Sequence, residues 1–272
     1  MPFDPLDVIA ECLGEPADSM RSPVNADYLC PHMDGKCSKT NHKNDLPFPV
    51  CSIYRKSAKR ETRTPVCICP VRFYEASIAE DVLRECWTGP KPTRPRIAKE
   101  VKMGKFGNVD MVIAELDDAG TVVKNFIPVE LQSVDITGSY MPAFEALTNS
   151  TMITGKFRYG FNWGNVRKRF LTQIIAKGFY CHGWGTRIVA VIQDDLFAKF
   201  DGYSKFTKVG LEDSDIVFMI YQFGKETPSG PWQLSLKEVF PTKHSLLMAS
   251  ILYETPPDKA KFERKILKNI IL

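Results

Sequence analysis

Hydrophobic and polar positions change their spacing several times along the chain. Two β-rich runs, 109–115 and 121–131, flank residues 117–120, whose Asp-Asp-Ala-Gly sequence is typical of a tight turn. This pattern predicts a β-hairpin, called the central ribbon (109–131) below. Further strands are predicted from the apolar runs at 97–103, 187–192, 216–223 and 232–239.

Apolar residues spaced three or four apart predict helices between these strands. The predicted helices cover residues 73–87, 143–147, 165–177, 242–252 and the tail from 258. The tail has one apolar face, so we expect it to dock on the body of the protein or on a second subunit. Asp4, Pro5 and Gly14 supply start and stop signals for a short helix at the N-terminus. The expected fold class is α/β (α+β).

Composition narrows the class of protein only slightly. The chain has 272 residues, 44% of them hydrophobic, which is enough for a substantial core. A net charge of +4 and a pI near 8.5 do not by themselves indicate nucleic-acid binding. No apolar run approaches the length of a membrane span, and acids stand where a signal peptide would carry lysines. We therefore expect a cytoplasmic protein without membrane association.

The segment from Pro16 to Pro70 has few periodic apolar runs but five of the eight cysteines. So long a loop-like segment buries little surface, and a structural metal ion is one source of order for it. We predict that four thiolates bind Fe or Zn there, with Cys67 as the alternative to the fourth ligand. The predicted ligands are Cys30, Cys37, Cys51 and Cys69. Reduced structural thiols, with His32 or His42 substituting as ligands, are the alternative interpretation.

The central ribbon carries acids at defined places. Asp110 lies at the start of its first strand, and Glu130 and Gln132 lie at the end of the second. Antiparallel pairing would bring these ends together, and residues two apart in a strand share a face. Two carboxylates beside an amide form a hard-oxygen site of the kind that binds Mg²⁺. Glu100, on the preceding predicted strand, is either a third carboxylate of this site or an exposed strand residue.

This arrangement of acids is the skeleton of the PD-(D/E)XK nuclease site, with glutamine at the usual lysine position. The pattern is short, and chance matches are common. Phosphodiester hydrolysis needs a metal ion to neutralise developing charge, and convergent carboxylates hold such an ion. The amide of Gln132 cannot accept a proton as a base, but it can orient a water molecule.

Basic residues cluster in two places. The run from 55 to 63 is either a solvated loop or a phosphate-binding arm, and it contains Arg55, Lys56, Lys59, Arg60 and Arg63. The second cluster interleaves cations with aromatics before the predicted helix at 165–177 and places cations in its first turns. Because cations oppose the helix dipole there, an anion is expected nearby, either a DNA phosphate or an internal acid. The candidate DNA-binding residues are Lys156, Arg158, Arg167, Lys168 and Arg169.

Several motifs together resemble the NotI-like type II restriction endonucleases, over about residues 28–195. These motifs are GNVDMVI, VELQSVDITGS, CPHMDGKCSK, PVCSI, CPVRF and NWGNVRKRFLTQIIAKG. The resemblance implies a restriction-endonuclease-like PD-(D/E)XK core, with a mixed central sheet flanked by helices and a small metal-bound N-terminal segment. It also implies cleavage of duplex DNA at GC-rich palindromes. Asp110, Glu130, Gln132 and Glu100 would then be the catalytic residues.

The resemblance suggests how the whole protein works. We expect an N-terminal helix and metal-binding segment over 1–72, and a nuclease domain over 73–272. Cutting both strands of a palindrome favours a homodimer. A gene for the cognate DNA methyltransferase would lie nearby. The alternatives are a structure- or lesion-selective repair nuclease and a metal-stabilised DNA-binding module without enzymatic activity.

Overall fold

The computed structural model describes residues 3–18, 27–40, 47–55, 63–155, 157–227, 230–253 and 256–270. The strands in these ranges are β1 Ile9–Cys12, β2 Glu15–Pro16, β3 Val50–Ile53, β4 Val66–Cys67, β5 Arg96–Lys102, β6 Asn108–Leu116, β7 Val123–Gln132, β8 Ile136–Gly138, β9 Tyr159–Phe161, β10 Ile188–Gln193, β11 Ile216–Gly224 and β12 Gln233–Thr242. The α-helices are α1 Ile78–Glu85, α2 Met141–Thr148, α3 Trp163–Gly183, α4 Asp194–Ser204, α5 His244–Leu252 and α6 Lys259–Asn269. Short 3-10 helices cover Pro5–Asp7, Pro70–Glu75 and Leu211–Asp213.

Six strands form the central sheet, in the order β12-β11-β10-β7-β6-β5. β7, β10 and β11 run parallel to one another, whereas β5, β6 and β12 pair antiparallel with their neighbours. The sheet is therefore mixed. Helices cover both of its faces, so the expected α/β class with a mixed central sheet flanked by helices is confirmed.

The central ribbon forms as predicted. β6 and β7 pair across the turn at 117–120, where the Asp117 carboxylate accepts the backbone N–H groups of Thr121 and Val122 at 2.7 and 2.9 Å. An aspartate that hydrogen-bonds nearby backbone in this way stabilises a tight connection. The register of the two strands is fixed by this turn and by Met111, Ile113, Ile127 and Val129, which all contribute to the same core.

Two hydrophobic cores lie on opposite faces of the central sheet. On one face, α3 packs Val166, Phe170 and Ile174 against Ala190 and Ile192 of β10. The other face is covered by α1 and the 3-10 helix Pro70–Glu75. Helix α3 therefore lies over the face to which the even-numbered residues of β10 point.

The N-terminal residues form a small sheet of order β2-β1-β3-β4 instead of the predicted helix over residues 4–14, which is wrong. Asp4 and Pro5 do start a helix, but it is the single 3-10 turn Pro5–Asp7. Residues Ile9–Cys12 are then buried on both faces of β1, which pairs with β3 about forty residues later in the chain. This long-range pairing outweighs the local helix signals.

Other elements also differ from those predicted by the hydrophobic pattern. The predicted helix at 73–87 is divided into the 3-10 helix Pro70–Glu75 and α1. Helix α4 and the two-stranded sheet of β8 and β9 were not predicted. The tail forms α6, but none of its described side chains is buried, so the predicted docking surface is not supplied within the described ranges. No described helix has the length and apolar character needed to cross a membrane.

Candidate active site

Three acidic residues lie in a row across neighbouring strands, although their carboxylate oxygens do not all lie within 4.8 Å of one another. β6 pairs Met111 with Val129, and the same register places Asp110 opposite Glu130 of β7. The Asp110 Oδ2 atom accepts the backbone N–H of Leu131 at 2.6 Å, which fixes this carboxylate beside the end of β7. The sequence prediction that the strand ends would bring Asp110 and Glu130 together agrees with this placement.

Glu100 lies opposite Asp110 on the other side of the row. β5 pairs Lys99 with Met111 and Val101 with Val109, so Glu100 falls between these pairs. Its backbone has φ of +54°, in the left-handed region that costs energy for a residue with a Cβ. Its carboxylate accepts a hydrogen bond from Asn108 at 3.4 Å. Glu100 is exposed, yet it lies close enough to Asp110 to affect that residue's titration.

The pKa of Asp110 reflects this crowding. Burial raises the pKa of the Asp110 carboxyl above its ordinary value, the Leu131 N–H bond opposes the rise, and the charge of Glu100 adds to it. A carboxylate that is partly desolvated beside a second negative charge is stabilised by a bound cation. The oxygen-only character of the row suits a hard divalent ion such as Mg²⁺.

Lys177 of α3 reaches into the row and was missed by the sequence analysis. Its ammonium forms an ion pair with Glu130 and donates to the Asn108 carbonyl at 2.8 Å. The side chain is only 2% exposed. Burial lowers the pKa of Lys177, and the charge of Asp110 partly offsets that effect. A lysine thus stands next to the acids even though glutamine occupies the strand position where the pattern has lysine.

A signal for Lys177 is present in the sequence. Phe170, Ile174 and Cys181 are buried on the inner face of α3, and Lys177 continues the same spacing of three and four residues. A single lysine within an apolar stripe has to find a partner when it is buried. The sequence does not show that the partner is Glu130, because that contact spans 47 residues.

Gln132 points to the same face of β7 as Glu130. β10 pairs Ala190 with Glu130 and Ile192 with Gln132, and both β10 residues face α3. The Gln132 amide nitrogen donates to the Ser133 carbonyl. This bond directs one N–H of the amide to the backbone that follows β7.

The predicted DNA-binding residues have different surroundings. Lys156 lies outside the described residues, whereas Arg158 and Lys168 are exposed. Arg169 pairs with Asp135 at 3.0 Å, and Arg167 donates to the Ser204 hydroxyl and lies 5.1 Å from the Tyr203 ring centre. An internal acid therefore accompanies Arg169. Arg169, Gln173 and Lys177 still follow one another at four-residue intervals along α3, so this helix forms a polar track that leads to the carboxylates.

The basic run at 55–63 is described only at its ends. Arg55 pairs with Asp195 at 2.6 Å, and Arg63 pairs with Asp7 at 2.9 Å. Lys56, Lys59 and Arg60 lie outside the described residues. The two described arginines thus bind internal acids. A different basic surface lies beside the carboxylates, where the edge strand β5 exposes Arg96, Lys99 and Lys102.

The predicted cysteine ligands lie near one another around the N-terminal sheet. Burial raises the pKa of the Cys37 thiol, with further rises from Cys69 and Cys30, and burial together with Cys69 raises the pKa of Cys51 to about 12. Such effects on Cys37 and Cys51 require neighbouring sulfurs. Among the described residues no three cysteine sulfurs lie within 4.8 Å of one another, so the thiols form a loose group and not a closed cage.

Two other cysteines bear on the choice of ligands. Cys67 of β4 points into the core beneath the central sheet, beside Phe73 and Val82, and its thiol donates to the Cys69 carbonyl at 3.1 Å. Cys12 is a further, fully buried neighbour: burial raises its pKa, and nearby Cys51 adds to the rise. The donor set is rich in soft thiols and suits Fe or Zn.

Comparison with known proteins gives one family. The model of the family described as restriction endonuclease NotI matches residues 18–234, a range that contains the carboxylate row, Lys177 and the predicted cysteine ligands. No curated protein matches the chain. Because the family match covers most of the chain, the protein belongs to the NotI restriction endonuclease family and is a site-specific endonuclease of double-stranded DNA.

Proposed function

We propose that the protein is a Mg²⁺-dependent type II restriction endonuclease with a PD-(D/E)XK active site. The observation that carries the proposal is the row of Glu100, Asp110 and Glu130 across three strands, with the Lys177 ammonium against it. Asp110 and Glu130 would bind the metal ion, and Glu100 would contribute a further carboxylate. Bound Mg²⁺ would supply charge neutralisation at the phosphate and a lower pKa for a coordinated water.

Lys177 and Gln132 have separate tasks in this proposal. An ammonium has three N–H donors, and Lys177 directs two of them at Asn108 and Glu130. The third donor would be directed at a scissile phosphate oxygen. Gln132 would orient the attacking water through its amide oxygen, since an amide does not accept a proton as a base. Lys177 would therefore supply the positive charge that the strand position lacks.

DNA would lie along α3 and the β5 edge. We propose that Lys156, Arg158, Arg167, Lys168 and Arg169 contact phosphates or guanine edges, for which Arg and Lys are suited. Recognition of a GC-rich palindrome would follow from such contacts. Each protomer would cut one strand of a two-fold symmetric site, so the active species would be a homodimer. A cognate methyltransferase encoded nearby would protect the host's own DNA.

The test is cleavage of unmethylated plasmid of known sequence in Mg²⁺. We expect discrete fragments whose mapped ends give the site and stagger, and we expect Asp110→Ala and Glu130→Ala to be inactive. Asp118→Ala is the matched control, because Asp118 is an exposed acid in the turn of the same ribbon. Discrete fragments from both active-site variants would contradict the assignment.

The same assay separates the alternatives. Cleavage only at junctions or lesions, whatever the flanking sequence, would indicate a repair nuclease. Band shifts that are insensitive to Mg²⁺ and to Asp110→Ala, without cleavage, would indicate a binding module. Sedimentation of the protein on its cleavage site in Ca²⁺, which is expected to bind without supporting rapid cleavage, should show two chains per DNA duplex.

We further propose that Cys30, Cys37, Cys51 and Cys69 bind a structural Fe or Zn ion. Metal analysis of protein made without added metal should show one Fe or Zn per chain at these cysteines. Cys69→Ser should lose this ion. Cys67→Ser should retain it because the Cys67 thiol faces the core beneath the central sheet, beside Phe73 and Val82. Loss of the ion from Cys67→Ser alone would show that Cys67 is the fourth ligand.

A further inference from the structure

Two histidines and an aspartate meet on the side of the central sheet that α3 covers. His182 lies near the end of α3, Asp215 directly precedes β11, and His244 is the first residue of α5. The Asp215 Oδ2 atom is 2.6 Å from His244 Nδ1 and 3.5 Å from His182 Nδ1. One candidate ligand atom from each of the three residues lies within 4.8 Å of the other two. This group includes neither the acids of the carboxylate row nor the predicted cysteine ligands.

The backbone holds this cluster in place. Asp215 is buried, its Oδ1 atom accepts the His244 backbone N–H at 2.6 Å, and its carbonyl accepts the Ile188 N–H at 2.9 Å. Gly178 allows α3 to approach closely: an added Cβ would lie 2.5 Å from an Ile216 side-chain atom and 3.4 Å from the His244 Cβ. The helix that carries His182 is thus drawn against the two other residues.

We propose that His182, Asp215 and His244 form a binding site for a borderline divalent cation of the Zn²⁺ type. Two imidazoles and one carboxylate are characteristic ligands of such ions, whereas Mg²⁺ prefers oxygen donors alone. Ligands at about 2.0–2.2 Å from a tetrahedral ion are roughly 3.3–3.6 Å apart, which matches the His182–Asp215 spacing. The ion replaces the hydrogen bond between His244 and Asp215, and the neutral His244 imidazole then carries its proton on Nε2.

The site has one open side. The His182 side chain is 66% exposed, so water can complete the coordination of an ion held by three protein ligands. The bound ion links the last turn of α3 to β11 and α5. Because Lys177 lies five residues before His182 on the same helix, the ion also restrains the element that carries Lys177. The proposal does not depend on the nuclease mechanism.

The test measures Zn²⁺ bound per chain by equilibrium dialysis and calorimetry of the full-length protein. His182→Ala is the main variant, since an exposed side chain can be removed without disturbing the core. Since the proposed cysteine site would also bind Zn²⁺, the informative quantity is the difference in bound Zn²⁺ between wild type and variant. We expect the wild type to bind one more Zn²⁺ per chain than His182→Ala, or to bind it at least ~10-fold more tightly.

Two further variants and a second readout complete the test. His182→Asp supplies another Zn²⁺ ligand and should retain the additional ion, as should Phe179→Ala, which removes a ring packed against His244 but no ligand atom. With Co²⁺, His182→Ala should lose the weak visible bands of a nitrogen and oxygen site and keep the thiolate charge-transfer band. Equal stoichiometry, affinity and Co²⁺ spectra in wild type and His182→Ala would overturn the proposal and leave Asp215 as a cap for α5.

Discussion

Asp110 is expected to lower the stability of the metal-free protein at neutral pH, although cleavage depends on it. Burial raises its pKa, the Leu131 N–H bond opposes the rise, and Glu100 adds to it. A carboxyl with a pKa above its unfolded value stabilises the fold when protonated, and this contribution is lost as the pH rises from the unfolded pKa to the folded pKa. At neutral pH the ionised Asp110 therefore lowers the stability of the metal-free chain.

Asp110→Asn should accordingly raise the denaturation midpoint of the metal-free protein at pH 7 while lowering cleavage by at least ~100-fold, because a charged oxygen proposed to bind Mg²⁺ is lost. The asparagine oxygen can still accept the Leu131 N–H. Urea denaturation and plasmid cleavage measure the two effects. Asp118→Asn is the control and should change neither. A less stable Asp110→Asn variant would show that the carboxylate is well accommodated without a metal ion.

Lys177 is expected to act on the reaction rather than on DNA affinity. Lys177→Met should lower kcat by about 100- to 1000-fold, as expected when a donor to developing charge is removed from a buried site. Lys177→Arg keeps the charge and should restore part of the activity. Lys168→Met, on the exposed side of the same helix, should mainly raise KM. Single-turnover cleavage at saturating DNA separates these effects, and an unchanged kcat in Lys177→Met would exclude the role.

The two halves of the candidate site differ in how far the sequence could predict them. Asp110, Glu130 and Gln132 could be placed because one short turn fixes the register of the ribbon, and the side chains then follow from the strand period. Lys177 could not be paired with Glu130, since its position depends on how α3 packs across the sheet. The sequence could not predict the contact between His182 and Asp215 for the same reason.

At the scale of elements, local signals succeeded where the contacts are local. The ribbon and α3 have strong periodicity and were predicted. The strands β10 and β11 were also predicted, as continuous apolar runs, but their long-range parallel pairing is not visible in any local pattern. The N-terminal helix failed because Ile9–Cys12 pair with β3, a partner no local pattern could reveal. The two-stranded sheet of β8 and β9 was missed for a related reason, since its strands are separated by α2 and a long connection.

The two-stranded sheet of β8 and β9 tests how an element positions Arg158, a proposed DNA-binding residue. Gly138 has φ of +76°, and an added Cβ would lie 2.3 Å from the Arg158 carbonyl oxygen. Gly138→Ala should therefore separate β8 from β9, destabilise the protein by about 1–3 kcal/mol and weaken DNA binding through displaced Arg158. Thermal unfolding and salt-dependent DNA binding are the measurements.

Gly155→Ala is the matched control for Gly138→Ala. Gly155 also has a positive φ, of +93°, but no atom lies within 4 Å of an added Cβ. This variant has backbone strain without the clash, so it should be destabilised less than Gly138→Ala and should retain the pairing of β8 with β9. Equal losses in the two variants would show that the positive φ, and not the close approach of the strands, determines the effect of Gly138→Ala.

At the scale of the whole molecule, the small N-terminal sheet is bound to the nuclease body through buried polar contacts. Gln193 of β10 accepts the Cys67 N–H and donates to the Pro65 carbonyl, both at 2.8 Å. Arg72 is fully buried and pairs with Glu11 of β1 at 2.9 Å, while its guanidinium also donates to the Trp232 carbonyl at 2.8 Å. The predicted boundary between residues 72 and 73 falls inside the helix that carries Arg72.

Because Arg72 joins the N-terminal sheet to the nuclease body, we expect both to lose stability when this contact is removed. Arg72→Met would leave the Glu11 carboxylate buried beside Ser52 without its cation, which should cost about 3–5 kcal/mol. The double variant Glu11→Gln and Arg72→Met removes both charges and should regain part of that loss. Urea denaturation gives the free energies, and hydrogen exchange at β1 and β10 shows whether both sheets lose protection. A loss below about 1 kcal/mol in Arg72→Met, or lost protection in β1 alone, would mean that the N-terminal sheet unfolds independently of the nuclease body.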